Sequence, residues 1–422
     1  MSNKFPLECL PKSSLIRTYS EHFDQHSESP LQYHFSSIIC GISVILNRKV
    51  CYDLGHTTLY PNLYLLIVGE SGMTRKSSST RPIFKILRKM NPDFILSSSI
   101  STESLIPSFN RQPVRLLFLD EMKMLFDLAS KNYGTGIIGT LTHLHECPTE
   151  IKSDFKKDFS KDGDRLESSI AKFPYLSLMG LTTQEWMNVS HSDVVGGFIG
   201  RFLPIISIGE TQKIIPFPEN DEVFFDHISA KIKMISGIRG KFKFSEATKS
   251  MWIKKYTEIM SEVHASKNDR YASFGGRLGD TLIKLCMLIS ASMPVCHMDI
   301  TEEVFESASI LTDYFKKSYL TLLGDLTDSK FSNDQRRLKL IIQKHGGRID
   351  HSSLLSASGM RSPELKEHVS NMVEKGILVA MRIETGTKAR TDYFLAELFK
   401  FNGDSSVIYD QNGLEIAKRY DR

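Results

Sequence analysis

Long hydrophobic runs are missing from this sequence of 422 residues. No stretch of about eighteen consecutive apolar residues occurs, so no transmembrane helix is expected. The first fourteen residues contain no apolar segment of the kind that directs secretion. We therefore expect a cytoplasmic protein without a membrane partner.

Paired cysteines and a strong charge excess are missing too. The six cysteines are spread out without a CxxC pair, so their spacing predicts neither a disulfide framework nor a zinc site. Cys296 and His297 are adjacent, but two ligands alone do not define a metal site. Lys and Arg number 53 and Asp and Glu 49, a net charge of +4. This balance permits nucleic-acid binding without arguing for it.

The apolar residues that are present, 41% of the chain, suffice for a large core. A buried helix is predicted over Phe35–Leu46. Four short apolar runs have the composition of buried parallel strands: Leu63–Val68, Val114–Leu119, Tyr175–Leu181 and Phe202–Ile208. Helical patterns separate these runs, so the expected fold class is α/β with a parallel sheet.

A phosphate-binding loop is predicted directly after the first of these strands. The loop has two glycines and ends in Lys-Ser before a helix, so its backbone N–H groups can face phosphate oxygens. Lys76 would neutralise the β- and γ-phosphates, and the Ser77 hydroxyl would bind Mg²⁺. The candidate nucleotide contacts are Gly69, Glu70, Ser71, Gly72, Met73, Thr74, Arg75, Lys76, Ser77 and Ser78.

This loop departs from the usual Walker A pattern at two positions. Arg75 replaces the glycine before the lysine, and Glu70 stands at the first glycine position. The alternative is an exposed serine-rich turn with basic residues nearby. The Asp120–Glu121 pair, 44 residues after Lys76, favours the nucleotide site, because two carboxylates ending a buried strand suit a metal ligand and a water-orienting base. Their alternative role is to cap the following helix.

Three further residues are candidates for contacts with the phosphates. Thr183 follows the third predicted strand and suits a γ-phosphate or water contact, with Thr182 as the other candidate and helix capping as the alternative. Arg201, in a glycine-rich turn, suits an arginine finger offered to a neighbouring subunit; the alternative is pairing with a surface acid. Arg277, before an apolar helix, is a weaker candidate for a second phosphate contact.

The C-terminal part has the pattern of a winged-helix domain. Three short helices are predicted over Arg336–His345, Ser352–Ala357 and Arg361–Lys375, after a linker at Asp325–Asn333. A hairpin of Ile377–Arg382 and Tyr393–Leu395 follows. Residues 402–422 are polar and predicted to form a loosely held tail.

Nucleic acid is the expected partner of two regions. Residues 333–395 hold 11 Lys and Arg against 7 Asp and Glu, and Arg361, Lys366, Lys388 and Arg390 suit phosphate contacts. Protein binding is the alternative for this region. The polar insertion at 149–172 carries Lys156 and Lys157 among aromatic residues, which suits a pore that grips a single strand; an exposed mixed-charge hairpin is the alternative.

The motifs, taken in order, carry a resemblance to a known family. They are Asn62–Ser78, Leu116–Met122, His143–Pro148, Leu176–Thr183 and Gly196–Phe202. Together they resemble a helicase-like P-loop ATPase family, a domain of unknown function found with primase–polymerases on phages and plasmids. More distantly they are similar to AAA+ and minichromosome-maintenance-like hexameric helicases. The resemblance extends over roughly residues 11–323 and includes the Arg-Lys-Ser form of the loop.

The resemblance implies a ring with ATP between subunits and nucleic acid through its centre. The expected function is an ATP-dependent DNA motor, a hexameric replicative helicase that acts on single-stranded or forked DNA with a separate primase or polymerase. The alternatives are an ATP-switched DNA-binding regulator or loader without unwinding activity, and a P-loop protein that does not hydrolyse ATP. The expected regions are an N-terminal helical segment (1–60), a P-loop ATPase core of AAA+/RecA-like type (61–223), a helical lid (224–324), a winged helix (333–397) and a tail (398–422).

Overall fold

A computed structural model describes most of the chain. The described residues are 4–70, 74–96, 102–129, 135–157, 165–183, 197–207, 222–266, 268–327, 330–385, 388–401, 407–409 and 415–418. The chain divides into two compact units, Met1–Leu323 and Gly324–Arg422. The regions expected to be an N-terminal segment, a core and a lid therefore all lie in the first unit.

The first unit contains both helices and strands. Its helices are α1 (Leu15–His26), α2 (Leu31–Leu46), α3 (Lys76–Met90), α4 (Thr102–Arg111), α5 (Lys123–Ala129), α6 (Thr135–His145), α7 (Glu222–Ile235), α8 (Glu246–Ala265), α9 (Asp269–Gly275), α10 (Leu278–Ser292) and α11 (Glu302–Thr327). Its strands are β1 (Val50–Asp53), β2 (Thr58–Leu59), β3 (Tyr64–Val68), β4 (Ile95–Leu96), β5 (Val114–Leu119), β6 (Glu150–Lys157), β7 (Arg165–Lys172), β8 (Tyr175–Thr182), β9 (Phe202–Ile206), β10 (Gly240–Phe244) and β11 (Asp299–Ile300).

A five-stranded parallel sheet forms the centre of this unit, in the order β4-β5-β8-β3-β9. All four predicted strands belong to it, and the mixed α/β class with a parallel sheet is confirmed. Every residue of β3 and of β8 is buried, since helices cover both faces. The order separates β3 from β5 by β8, so the segment after β8 lies between the predicted phosphate loop and the carboxylate pair.

The predicted buried helix, Phe35–Leu46, is the last twelve residues of α2, which contacts four of the central strands. Fourteen of its sixteen residues are buried, from Tyr33 to Leu46. Ser43 on its inner face lies 2.6 Å from Ser177 Oγ and 3.0 Å from the Tyr175 hydroxyl, so its polar atom is paired inside the core.

A second sheet, of four strands in the order β11-β10-β1-β2, did not follow from the sequence. Strand β1 pairs in parallel with β10, and this pairing joins Val50–Tyr52 to Gly240–Phe242. A strand of the expected N-terminal segment therefore pairs with a strand of the expected lid. The strands are short, and β10 alternates exposed and buried residues between charged neighbours. Such a signal is weak beside the long helical patterns that flank it.

The polar insertion forms an antiparallel pair, β6 with β7, in register from Glu150↔Lys172 to Lys157↔Arg165. Its base is fixed by Arg48, whose guanidinium donates to the carbonyls of Cys147, Pro148 and Pro174. The hairpin therefore starts and ends at a rigid point immediately before β8.

The second unit packs three helices against a three-stranded antiparallel sheet. Its helices are α12 (Lys330–Lys344), α13 (His351–Ser358) and α14 (Ser362–Glu374), and its strands are β12 (Arg348–Asp350), β13 (Leu378–Thr385), β14 (Lys388–Leu395), β15 (Lys400–Phe401), β16 (Val407–Tyr409) and β17 (Glu415–Lys418). The main sheet has the order β12-β14-β13. Leu338, Leu354 and Leu365 are fully buried in a core that all three helices share.

The secondary structure differs from what polar composition suggested at two places in this part of the chain. The described residues of the expected linker, 325–327 and 330–333, are helical, because α11 continues to Thr327 and α12 begins at Lys330. The expected tail contains strands, since β15, β16 and β17 form a small antiparallel sheet. Polar composition favoured coil at both places, but helix ends and short paired strands are also built from polar residues.

None of the described helices is both long and apolar enough to cross a membrane.

Candidate functional site

The loop between β3 and α3 has a backbone that only particular residues fit. A side chain at Gly69 would lie 2.8 Å from Thr74 Oγ1 and would collide with the Tyr33 hydroxyl. Arg75, the last residue before α3, has φ 46° and ψ 38°, the left-handed region that glycine prefers. The residue that departs from the Walker A pattern thus occupies a conformation suited to the glycine of that pattern.

Contacts from the connection between α1 and α2 support Arg75 in this conformation, and a residue of α2 contacts the end of β3. Ser29 Oγ donates to the Arg75 carbonyl at 3.0 Å, and Arg75 Nε donates to Glu28 Oε2 at 3.1 Å. The Tyr33 hydroxyl donates to the carbonyl of Val68, at the end of β3, at 2.8 Å. These three supporting residues were missed, because nothing in the sequence links residues 28–33 to a loop forty residues later.

Lys76 and Ser77 begin α3 with their side chains turned toward the loop and the carboxylates. Lys76 Nζ donates to the carbonyls of Gly69 at 2.7 Å and Glu70 at 3.0 Å. Burial lowers the pKa of Lys76, while Asp120 and Glu70 oppose that shift. Ser77 Oγ donates to Asp120 Oδ1 at 2.5 Å, so the hydroxyl and the carboxylate predicted to share a metal are in contact.

These side chains line one cavity of about 470 Å³ at the carboxyl ends of β3, β5 and β8. Its walls are Arg75, Lys76, Ser77, Ser78, Arg81, Asp120, Glu121, Lys123, Leu181, Thr182 and Thr183. Glu121 and Thr183 therefore share a cavity with Lys76. We call it the Lys76 cavity. Crevices at this end of a parallel sheet are where open α/β proteins bind ligands.

Arg201 and Arg277 lie elsewhere, together in a second cavity that also contains Glu146, Asp280 and Lys284. We call it the Arg201 cavity. Arg201 donates to the Gly197 carbonyl at 2.7 Å and to Glu146 Oε1 at 3.3 Å. Arg277 donates to the hydroxyl and the carbonyl of Ser273. Arg277 is thus placed beside the candidate finger and not beside Lys76.

The second cavity adjoins the opposite end of the central sheet. Its wall includes Leu63 and Tyr64 at the start of β3 and Leu203 near the start of β9. The Lys76 cavity follows the far end of β3. The four steps between the five residues of that strand, at about 3.3 Å each, put roughly 13 Å between its two ends. Arg201 therefore lies at the end of the sheet opposite the predicted phosphate loop.

Charged and titratable groups are packed closely in the Arg201 cavity. Burial lowers the pKa of His145 to about 4, and nearby Lys284 acts in the same direction. A hydrogen bond from His145 lowers the pKa of Glu146 to about 2, with help from Arg201. Lys284 is buried and donates to both the carbonyl and the side-chain oxygen of Asn62. The ion pair of Arg201 with the exposed Glu146 is the surface-acid pairing given above as the alternative for Arg201. The sequence did not indicate which acid it would be, although Glu146 lies within the His143–Pro148 motif.

The candidate nucleic-acid residues are placed unevenly. Arg361 and Lys366 are exposed at the start of α14. Arg390 on β14 donates to Oδ2 of the buried Asp392 at 3.1 Å, and Asp392 also forms an ion pair with Arg348. Lys156, Lys157 and Lys388 lie on strands β6 and β14, but their side chains lie outside the described residues.

Ser71, Gly72 and Met73 of the predicted loop also lie outside the described residues. No protein-family model matches this chain, and a search of curated proteins finds no similar sequence.

Proposed function

We propose that the chain is a P-loop ATPase with an AAA+-type core. The observation that carries this proposal is the contact between Ser77 Oγ and Asp120 Oδ1 beside Lys76, in a cavity at the carboxyl ends of three parallel strands. A hydroxyl, a carboxylate and an ammonium group at this position are the donor set that a Mg²⁺–nucleoside triphosphate requires. The left-handed conformation of Arg75 and the close approach at Gly69 support a loop curled to surround a phosphate.

ATP and Mg²⁺ fit the residues present. Ser77 and Asp120 supply the hard oxygen ligands that Mg²⁺ prefers, and Lys76 supplies the charge for the phosphates. The bound metal would neutralise charge that develops on the transferred phosphoryl group. Glu121, exposed in the same cavity, orients and deprotonates the attacking water. Thr183, at the end of the intervening strand β8, contacts the water or the γ-phosphate.

We propose further that Arg201 acts on the nucleotide of a neighbouring subunit in a ring, a hexamer by the resemblance of the motifs. Its position at the end of the sheet remote from Lys76 favours action in trans, because its own phosphate loop is beyond its reach. Arg277 beside it is a second cation offered to the same neighbour.

Our proposed substrate of the motor is DNA. Three helices and an antiparallel strand pair in the second unit support a winged helix, with Arg361 and Lys366 exposed at the start of its third helix. The antiparallel pair β6–β7 carries the lysines proposed to grip a single strand. The function that combines these parts is an ATP-dependent DNA helicase of a replicating element.

ATP hydrolysis in mixed rings tests the site. Lys76→Ala and Arg201→Ala are each expected to be inactive alone, with single-stranded DNA present. Rings mixed from the two variants contain some interfaces that pair an intact Lys76 with an intact Arg201, so partial activity is expected. Failure of every mixing ratio to recover activity would rule out an arginine that acts in trans.

Strand displacement on forked DNA separates the motor from a regulator or loader. The wild type is expected to unwind the fork with ATP, and Glu121→Gln is expected to bind ATP and DNA without unwinding. DNA-stimulated hydrolysis with no displacement on any fork would support the regulator instead. Unchanged phosphate release in Glu121→Gln would show that this site does not hydrolyse ATP in the proposed way.

A further inference from the structure

Three potential metal ligands converge between two helices of the second unit. Asp334 lies on α12, and Glu364 and His368 lie one turn apart on α14, where residues four apart share a helix face. One ligand atom from each lies within 4.8 Å of the other two. This group is separate from the Lys76 cavity and has no part in the proposed ATP hydrolysis.

The imidazole is held deep in the unit and directed at the carboxylate. His368 is only 4% exposed, and its Nε2 lies 3.7 Å from Asp334 Oδ2. That distance is too long for a hydrogen bond. Asp334 itself has a side chain 20% exposed, so the cluster is shielded yet reachable from solvent.

The described partner of the Asp334 carboxylate is the imidazole of His368. Lys375, another basic residue of this unit, donates to Gln335, one position after Asp334. Two half-buried carboxylates and a buried imidazole form a donor set whose negative charge a divalent cation would offset.

We propose that Asp334, Glu364 and His368 bind one divalent transition-metal ion, with Zn²⁺ as the best fit. Imidazole nitrogen selects such ions over Mg²⁺ and Ca²⁺, and carboxylates complete the set. Ligand atoms bound to tetrahedral Zn²⁺ at about 2.0–2.1 Å lie about 3.3 Å apart. Small side-chain rotations that move the ligand atoms by about an ångström would bring the three groups to that spacing. The ion would join the N-terminal halves of α12 and α14, with water as the fourth ligand.

Calorimetric titration of the chelator-treated full chain with Zn²⁺ tests the site. The wild type is expected to bind one more Zn²⁺ than Asp334→Asn, Glu364→Gln or His368→Gln. Each variant is expected to lose more than about 100-fold in affinity at this site, since even loss of an outer-shell partner costs roughly 10–100-fold. The controls are Glu367→Gln, exposed on the same helix, and His345→Gln, exposed at the end of α12; both should bind like the wild type.

Two further measurements distinguish the loss of a metal ligand from a folding defect in the variants. Co²⁺ should give the visible absorption of a tetrahedral site in the wild type and lose it in Asp334→Asn and Glu364→Gln, whose side chains keep the wild-type shape. Zn²⁺ should raise the thermal midpoint of the wild type and not of these variants. The proposal is overturned if both conservative variants bind Zn²⁺ like the wild type. It is overturned equally if Mg²⁺ binds these three residues as tightly as Zn²⁺.

Discussion

The Lys76 cavity and the Arg201 cavity lie at opposite ends of the same parallel strands and are built differently. Most of the Lys76 cavity comes from three short segments that each follow a strand directly. The Arg201 cavity joins side chains from around residues 62, 145, 201 and 280, and Lys284 and His145 are packed inside it. A site at strand ends follows from local pattern, whereas a site assembled from separate loops and helices depends on how the whole unit packs.

The largest effect expected is at the Lys76 cavity. Lys76→Ala should lower ATP hydrolysis by at least about 1000-fold and weaken nucleotide binding, because one cation serves both ground state and transition state. Steady-state phosphate release and fluorescent-nucleotide titration measure the two. Lys89→Ala, exposed near the end of the same helix, should leave both unchanged. If the Lys76→Ala protein remained active, the nucleotide would have to bind outside the Lys76 cavity.

At the Arg201 cavity the expected effect separates binding from turnover. Arg201→Ala should lower hydrolysis by about 1000-fold while nucleotide affinity changes less than about threefold, as befits a group that acts only on the transition state. The same two assays apply, with the exposed Arg88→Ala as the control. If Arg201→Ala lost nucleotide binding as well as hydrolysis, the result would indicate that both cavities contribute to nucleotide binding.

Low pH should reduce the free energy of unfolding of the first unit, through a histidine in the Arg201 cavity. The pKa of His145 is lowered from 6.5 to about 4, so the unfolded chain binds a proton that the folded chain does not. The stabilisation is present above pH 6.5 and is lost as the pH falls toward 4, by at most about 3 kcal/mol.

Denaturant unfolding at several pH values measures this loss. His145→Gln should reduce the dependence on pH between 6.5 and 4, and the exposed His56→Gln should leave it unchanged. His34, with a pKa also lowered to about 4 by burial, should contribute to the part that remains. An unchanged slope in His145→Gln would contradict the buried, neutral imidazole.

The smallest effect is expected at Arg75. A residue with a side chain pays about 1–2 kcal/mol to adopt the left-handed conformation found at Arg75, and Arg75→Gly removes that cost. The same substitution also removes the ion pair with Glu28. Stability should change by less than about 1 kcal/mol, and ATP hydrolysis should stay within about threefold. Arg75→Ala separates the two terms, since it keeps the strained backbone and loses the ion pair. A Gly variant that is as impaired as Lys76→Ala would give the guanidinium a direct role.

The sequence by itself determined the parallel strands and the residues at their carboxyl ends. A continuous apolar run that ends in Gly69 or in Asp120 shows both the buried strand and its polar edge, because the two signals are adjacent along the chain. The hairpin at 149–172 and the three helices of the second unit followed from equally local patterns of turn and capping residues.

Only the tertiary structure decided which of these segments meet. The pairing of β1 with β10, the support of Arg75 by Glu28 and Ser29, and the contact of Arg201 with Glu146 join residues between 46 and 190 positions apart. The helical linker and the stranded tail were missed because short polar segments gain their structure from neighbours. Burial and long-range pairing set these features, and no local window of sequence contains either.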